Sequence, residues 1–422
     1  MDLRDLESYA QSFLLWANKR LSLYPDPKAV AASLEDINVY PNINSLAPPQ
    51  TVEILDESSN LIRLRHMGQD AVLLGQIIWE HAAAGEGTRL GLGPKFMIKP
   101  TDLDPAWPGS NLNLGLRRLS QLFFEIYKLA QVKGLDPLSV LSRQRLLVIS
   151  GEEIIDQVAA QILNSFSQIV PPDNWLFMAQ AAFYGLKRDP SSGQWVFDYS
   201  SPRRLYNHGA MVSQKVMDGQ IFSQKFSDSR KMYLSHAEFF RLLAQASDLV
   251  SLNIEDLDYL TQALDFETLG LAVDLGLKGY GMVMEITGNN PNNPIKGGMC
   301  AYDQVLGRDV VIESFRLKGL EPKDITHLNK NFNHYPQPSM VFGLLREKGL
   351  FLPAVIHDEW LYFQPVQGDL NFLAPTAYFS RRNLKPINSL KSLADIPAAL
   401  TAFAKQDLEP GYGEFLKSLD LA

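Results

Sequence analysis

Apolar positions recur along this chain at two periods. Near the N-terminus, Leu6, Tyr9, Ala10, Phe13, Leu14 and Ala17 return at the spacing that lines one face of a helix, ending near Asn18-Lys19-Arg20. Pro25, Pro27, Pro41, Pro48 and Pro49 then punctuate a loop-rich stretch. From about Ala71 the pattern changes. Short apolar runs predict strands over residues 75–79, 145–150, 175–178 and 248–252. Between them, amphipathic stretches predict helices over 116–131 and 153–166, the first with Leu119, Leu122, Phe123, Ile126 and Leu129 on one face. Strands alternating with helices predict an α/β sheet that is mostly parallel, with ligands at the carboxyl ends of its strands. A turn-rich stretch over 288–294 separates two runs, 281–286 and 296–302, that are expected to pair as a hairpin. After Pro353 the pattern weakens, and Pro386, residues 396–403 and residues 415–421 predict a small mixed C-terminal unit. The expected division is an N-terminal helical segment (1–65), a catalytic domain (66–355) and a small C-terminal domain (356–422).

Composition narrows the class of protein. A length of 422 residues is too great for one simple core, and 46% hydrophobic residues is ordinary for a soluble globular protein. No apolar run is long enough to span a bilayer, so no membrane partner is expected. The first residues, Met1-Asp2-Leu3-Arg4-Asp5-Leu6-Glu7, carry acids where a signal peptide carries bases. Cys300 is the only cysteine, which excludes an internal disulfide and a thiolate metal cluster and accords with a reducing, cytoplasmic setting. The net charge is −8 and no basic stripe is present, so no nucleic-acid partner is expected. Such a chain still binds a triphosphate if its cations are concentrated locally.

One stretch concentrates them. Gly85-Glu86-Gly87-Thr88-Arg89-Leu90-Gly91-Leu92-Gly93-Pro94-Lys95 packs four glycines, an arginine and a lysine behind the strand that ends near Trp79. Glycines let backbone N–H groups approach an anion closely, and the arginine and lysine add fixed positive charge. Lys95 follows Pro94 and precedes Phe96, so this is no Walker A loop, and the glycine spacing is not that of a dinucleotide fingerprint. Serine-hydrolase, HExxH and EF-hand patterns are absent, and His66, His81, His236, His327, His334 and His357 show no metal spacing.

The ordered set Gly85, Gly87, Thr88, Arg89, Gly91, Pro94, Lys95 resembles the signature of the UDP-sugar pyrophosphorylases, those making UDP-glucose or UDP-N-acetylhexosamines. Ala84 departs from it, standing where that family has glycine. Further segments are similar to the family in the right order. A helix from about Leu114, with Leu119, Gln121 and Glu125, resembles the one behind the nucleotide loop. Asn207-His208-Gly209-Ala210 is similar to the family's Gly-His-Gly-Asp turn, and Gln180 to a glutamine that reads uracil. Asn253-Ile254-Glu255-Asp256-Leu257 resembles the strand end that carries the metal-binding aspartate. Asp265 to Gly270 and Lys278-Gly279 resemble the family's next helix start and glycine turn. Val311-Ile312-Glu313 and the turn at Asn329 are similar to the sugar-contacting elements. Asn388 stands where the family has a lysine, with Lys385 and Lys391 nearby.

The resemblance implies a Rossmann-like mixed sheet of the glycosyltransferase-A nucleotidyltransferase type. The implied reaction joins UTP and a hexose 1-phosphate into a UDP-sugar and pyrophosphate. It implies Arg89 and Lys95 as the catalytic cations, and Gly85, Gly87, Thr88, Gln180, His208 and Gly209 around the nucleotide. It implies Glu313 and Asn329 around the sugar, and Mg²⁺ held by Glu255 or Asp256, since that ion needs only one or two protein carboxylates. The departures at Ala84, Ala210, Glu255 and Asn388 keep a second reading open: a non-catalytic sugar-nucleotide-binding or regulatory protein on the same fold. Which sugar is used is not written in these residues.

Overall fold

The structure, a computed structural model, describes residues 4–421 except 86, 88, 89, 226–229, 290, 291, 293, 295, 296 and 383–387. Its centre is a mixed sheet in which β1 (Ile77–Ala82), β2 (Arg145–Gly151) and β3 (Trp175–Gln180) lie side by side and parallel. On its other edge β1 runs parallel to β4 (Asp248–Asn253). These strands are apolar at successive positions because both faces are covered. Trp79, Val148, Phe177 and Val250 point into one core, and Ile78, Leu147, Leu176 and Leu249 into the other.

Later strands extend the sheet: β5 (Met282–Gly288), β6 (Gly298–Asp303), β7 (Arg308–Glu313), β8 (His327–Tyr335) and β9 (Thr376–Ser380). β8 runs antiparallel between β4 and β5, and β9 runs parallel to β5. The expected hairpin does not form. β6 pairs with β7, and touches β8 at Met299–Leu328, whereas β5 pairs with β8 and β9. Two apolar strands flanking a turn pair with whichever neighbours best cover their faces, and here a strand from more distant sequence does so.

Of the two helices expected among the strands, the one over 116–131 is longer at both ends and the one over 153–166 begins two residues later. The helices that bear on the site and its supports are α1 (Arg4–Arg20), α2 (Leu61–Leu73), α3 (Leu114–Val132), α4 (Ile155–Phe166), α5 (Asn207–Lys215), α6 (Phe266–Leu277), α7 (Ile396–Asp407) and α8 (Tyr412–Ser418). Asn113 caps α3 by accepting the Leu116 N–H at 2.9 Å. α2 and α6 touch backbone to backbone: a Cβ on Gly270 would stand 1.8 Å from the Leu64 carbonyl oxygen. The N-terminal segment buries Phe13 and Ala17 against Trp195, Leu361 and Phe363 of a small four-stranded sheet. Phe403, Tyr412 and Phe415 at the other end of the chain share a core with Phe123 and Phe124 of α3. Between the layers, Lys215 of α5 forms a fully buried ion pair with Glu80 of β1, and Ser251 of β4 donates to the same carboxylate at 2.7 Å. That pair ties the helix bearing His208 to the strand that feeds the glycine loop. Among the described residues no helix is long and apolar enough to cross a membrane.

Candidate functional site

The glycine loop leaves the carboxyl end of β1 and turns back on itself. Lys95 N–H donates to the Gly85 carbonyl at 3.1 Å and Leu90 N–H to that of Gly87 at 2.8 Å. Gly87, Gly91 and Gly93 all have positive φ. At Gly87 any side chain would also clash, since a Cβ would lie 2.4 Å from the Gly93 oxygen. Phe96 locks the loop to α3, filling the space that a side chain at Gly115 would need. Thr88 and Arg89 lie outside the described residues.

Lys95 is buried, and its Nζ sits 2.5 Å from Oε2 of Glu255, just past the end of β4. The other oxygen, Oε1, is 3.1 Å from Nζ of Lys391. Burial alone would raise the Glu255 carboxyl, but the pull of Lys391 and Lys95 outweighs it and holds the group below its ordinary value. Lys391 arrives on a strap paired with this turn: Leu390 N–H donates to the Glu255 carbonyl at 2.8 Å and Leu257 N–H to that of Asn388 at 3.0 Å. The Asn388 side chain is occupied elsewhere, donating to Asp258 at 2.8 Å. Lys385 lies outside the described residues.

Asp256 takes the opposite course from its neighbour. Its Oδ1 accepts the Asp258 N–H at 2.9 Å, and Arg118 of α3 donates to its carbonyl. Burial pushes its carboxyl up to about 6, against the opposing charge of Arg118. Arg118 in turn lies 4.3 Å over the Tyr259 ring. Glu255 thus faces the glycine loop and Asp256 faces the interior.

The nucleotide-side residues expected from sequence gather beside Glu255. Gln180, at the end of β3, donates to the Asn207 carbonyl at 3.0 Å. Asn207 has φ of 60° and opens α5. Gly209 is obligatory there, because a Cβ would sit 2.3 Å from the Pro365 carbonyl carbon. His208 Nδ1 accepts the Gln367 N–H at 2.8 Å, which puts the proton of the neutral ring on Nε2. Burial lowers its pKa to about 4, with Glu255 opposing that shift and Lys391 adding to it. His208 is therefore a neutral donor within electrostatic reach of the Glu255–lysine cluster.

The sugar-side residues expected from sequence also meet. A Cβ on Gly298 of β6 would lie 3.3 Å from the Glu313 carboxylate and 3.4 Å from Cβ of Asn329. The missing side chain leaves room in front of both. Burial, and then the negative charge of Asp369, push the Glu313 carboxyl up to about 7, against Arg316. Arg316 holds Asp369 at 2.9 Å.

Two parts of this arrangement have no local signature in the sequence. Lys391, three residues beyond Asn388, brings a cation to Glu255. The segment around Gln367 and Gly368 links the two halves of the site: Gln367 meets His208, and a Cβ on Gly368 would lie 3.7 Å from the Glu313 carboxylate. Only the order of residues flanking Asn388 hinted at the first, and nothing hinted at the second.

A glycine loop at the carboxyl end of a mixed α/β sheet, facing a strand-end carboxylate set between lysines, defines a fold of nucleotidyltransferase type. The chain has the fold of the UDP-sugar pyrophosphorylases. It is similar to the uridine diphosphate N-acetylglucosamine pyrophosphorylase of Trypanosoma brucei, with a TM-score of 0.61 at 14% identity over 95% of this chain and 84% of that one. It is also similar to a variant of the UDP-glucose pyrophosphorylase of Leishmania major, with a TM-score of 0.53 at 13% identity over 84% of this chain and 70% of that one. No protein-family model and no curated protein matches the chain.

Proposed function

We propose that this protein is a nucleotidyltransferase that forms a UDP-sugar and pyrophosphate from UTP and a hexose 1-phosphate, glucose 1-phosphate or an N-acetylhexosamine 1-phosphate. The observation that carries this reading is the convergence of Lys95 and Lys391 on Glu255 opposite the glycine loop. Two cations held by one carboxylate mark a place where a phosphate group takes over the carboxylate's role as partner.

In this reaction an oxygen of the sugar phosphate attacks the α-phosphorus of UTP. The bond to the β-phosphate oxygen breaks in line and its electron pair leaves with pyrophosphate. No protein nucleophile takes part, so catalysis comes from positioning and charge. Lys95 and Lys391 neutralise the phosphate oxygens as charge shifts toward the leaving group. The loop N–H groups from Gly85 and Gly87 orient the triphosphate, with Arg89 and Thr88 assigned to the same task. Gln180 and the Nε2–H of His208 orient the base side, and Glu313 and Asn329 take the sugar hydroxyls.

The residues present fit Mg²⁺ in one way. Glu255 is the carboxylate that faces the loop, and transfer of its lysines to phosphate oxygens frees both its oxygens for the ion. Mg²⁺ takes its other ligands from phosphate and water, so one carboxylate facing the loop would suffice. When bound, the ion would supply Lewis-acid charge neutralisation on the phosphates.

The test is a pyrophosphate-release screen of nucleoside triphosphates crossed with sugar 1-phosphates in Mg²⁺. Release with UTP and one hexose 1-phosphate is expected. Asn388 at the lysine position favours one other reading, a binding or regulatory protein without turnover. Tight UDP-sugar binding with no release in any pairing would establish that reading instead.

A further inference from the structure

A cavity of about 320 Å³ is lined by no residue of the glycine loop. Its floor is Trp79, Val250, Leu252 and Tyr259. The strand residues of that floor belong to one core of the sheet, whereas Asn329 pairs with Ile286, which points into the other. The cavity therefore occupies the opposite face from the sugar-side residues. One wall is the first turn of α6.

Its charge is unusual for a protein that handles phosphates. Five carboxylates line it, Asp56, Asp258, Asp265, Glu267 and Glu285, against two permanent cations, Lys330 and Arg381. Both cations are already engaged by those same acids. Lys330 meets Glu285 at 3.2 Å, while Arg381 meets Glu285 at 3.3 Å, Asp56 at 3.6 Å and also Asp265. His334 is turned to the buried Asp248 at 2.6 Å. From outside the cavity, Arg65 meets Glu267 and the Asn388 side chain meets Asp258. With Arg118 also stacked on the Tyr259 ring, the five carboxylates outnumber the four cations around them by one, over an apolar, partly aromatic floor. In addition, the buried Tyr259 hydroxyl has no hydrogen-bond partner among the described residues.

We propose that this cavity binds a small organic cation, a primary amine carried on an aromatic or apolar body. The body lies on the Trp79–Leu252–Tyr259 floor and the ammonium meets the carboxylates, which supply charge-assisted hydrogen bonds. The volume suits a molecule of about ten non-hydrogen atoms. A triphosphate or a sugar phosphate is repelled by the same walls, so this is no subsite of the proposed reaction, and the inference does not depend on it.

The test is calorimetric titration of the full chain with tyramine, with 4-ethylphenol as its neutral analogue and 4-hydroxyphenylacetate as its anionic one. Tyramine is expected to bind about tenfold or more tighter than 4-ethylphenol, the value of one charge-assisted contact, and the anion not at all. Ala263→Trp, which fills the cavity, abolishes binding. Asp258→Asn, which keeps its shape, weakens binding about threefold or more. Saturating UTP leaves the tyramine affinity unchanged. Absence of heat, equal binding of 4-ethylphenol, undiminished binding in Asp258→Asn or in a folded Ala263→Trp, or competition by UTP would each overturn the proposal.

Discussion

Replacing Lys391 by alanine separates the chemistry of the site from its stability. Lys391 Nζ lies 3.1 Å from Glu255 Oε1, and its side chain is 43% exposed. At an effective dielectric of about 20, that separation corresponds to a gross attraction of about 5 kcal/mol. Solvent reaches the lysine, and Lys95 still holds the other carboxylate oxygen, so the net cost to folding shrinks to about 1 kcal/mol or less. In the proposed reaction the same cation would face phosphate oxygens whose charge grows as pyrophosphate leaves. Loss of one such preorganised charge costs about 3 kcal/mol, roughly a hundredfold in rate. The expected signature is a nearly unshifted urea midpoint together with a kcat about a hundred times lower. Lys391→Arg, which keeps the charge on a different head group, should recover part of that rate. The assay is steady-state pyrophosphate release with UTP in excess, alongside the unfolding curve. Turnover within about threefold of the parent would refute the assignment, because a preorganised cation that meets the reacting phosphates contributes far more than that.

The other predictions concern the rest of the site and its supports. The Glu313 carboxyl is raised from 4.5 to about 7, so between those values the folded chain keeps a proton that the unfolded chain releases, and stability falls as pH rises across that window. Glu313→Gln should flatten that fall by about 1–3 kcal/mol between pH 5 and pH 8; denaturant midpoints with the same slope in both proteins would contradict it. Excess chelator should stop turnover and added Mg²⁺ should restore it, and full activity in chelator would exclude the role given to Glu255. Lys215→Met leaves Glu80 buried without its cation and should cost about 3–5 kcal/mol by urea unfolding, much of it recovered by the double change Lys215→Met with Glu80→Gln. Equal losses in the single and double variants would show that the cost is one of packing rather than of an orphaned charge.

Short-range pattern determined much of this protein. The strands at the centre of the sheet and the helices beside them are legible because burial on both faces, or on one face, leaves an apolar run or a helical period in successive residues. The glycine loop is legible for a similar reason: the positive φ of Gly87 and its contact with Gly93 are conditions that glycine alone meets, and Lys95 lies on the same few residues. Pairing was not legible where distant strands competed. β5 and β8 are separated by β6 and β7, and their union defeats the nearby hairpin because the choice depends on how whole faces are covered. The chemistry of the acidic pair was likewise undecided in sequence. Glu255 and Asp256 are adjacent, but the chain turn sends one carboxylate to Lys95 and Lys391 and buries the other, while Arg118 donates to the Asp256 main-chain carbonyl. Lys391 reaches Glu255 only because a strap from the C-terminal part of the chain pairs with this turn, and Gln367 reaches His208 across 159 residues. Electrostatic partners act through space over a few ångströms, and only the tertiary fold decides which residues share that space.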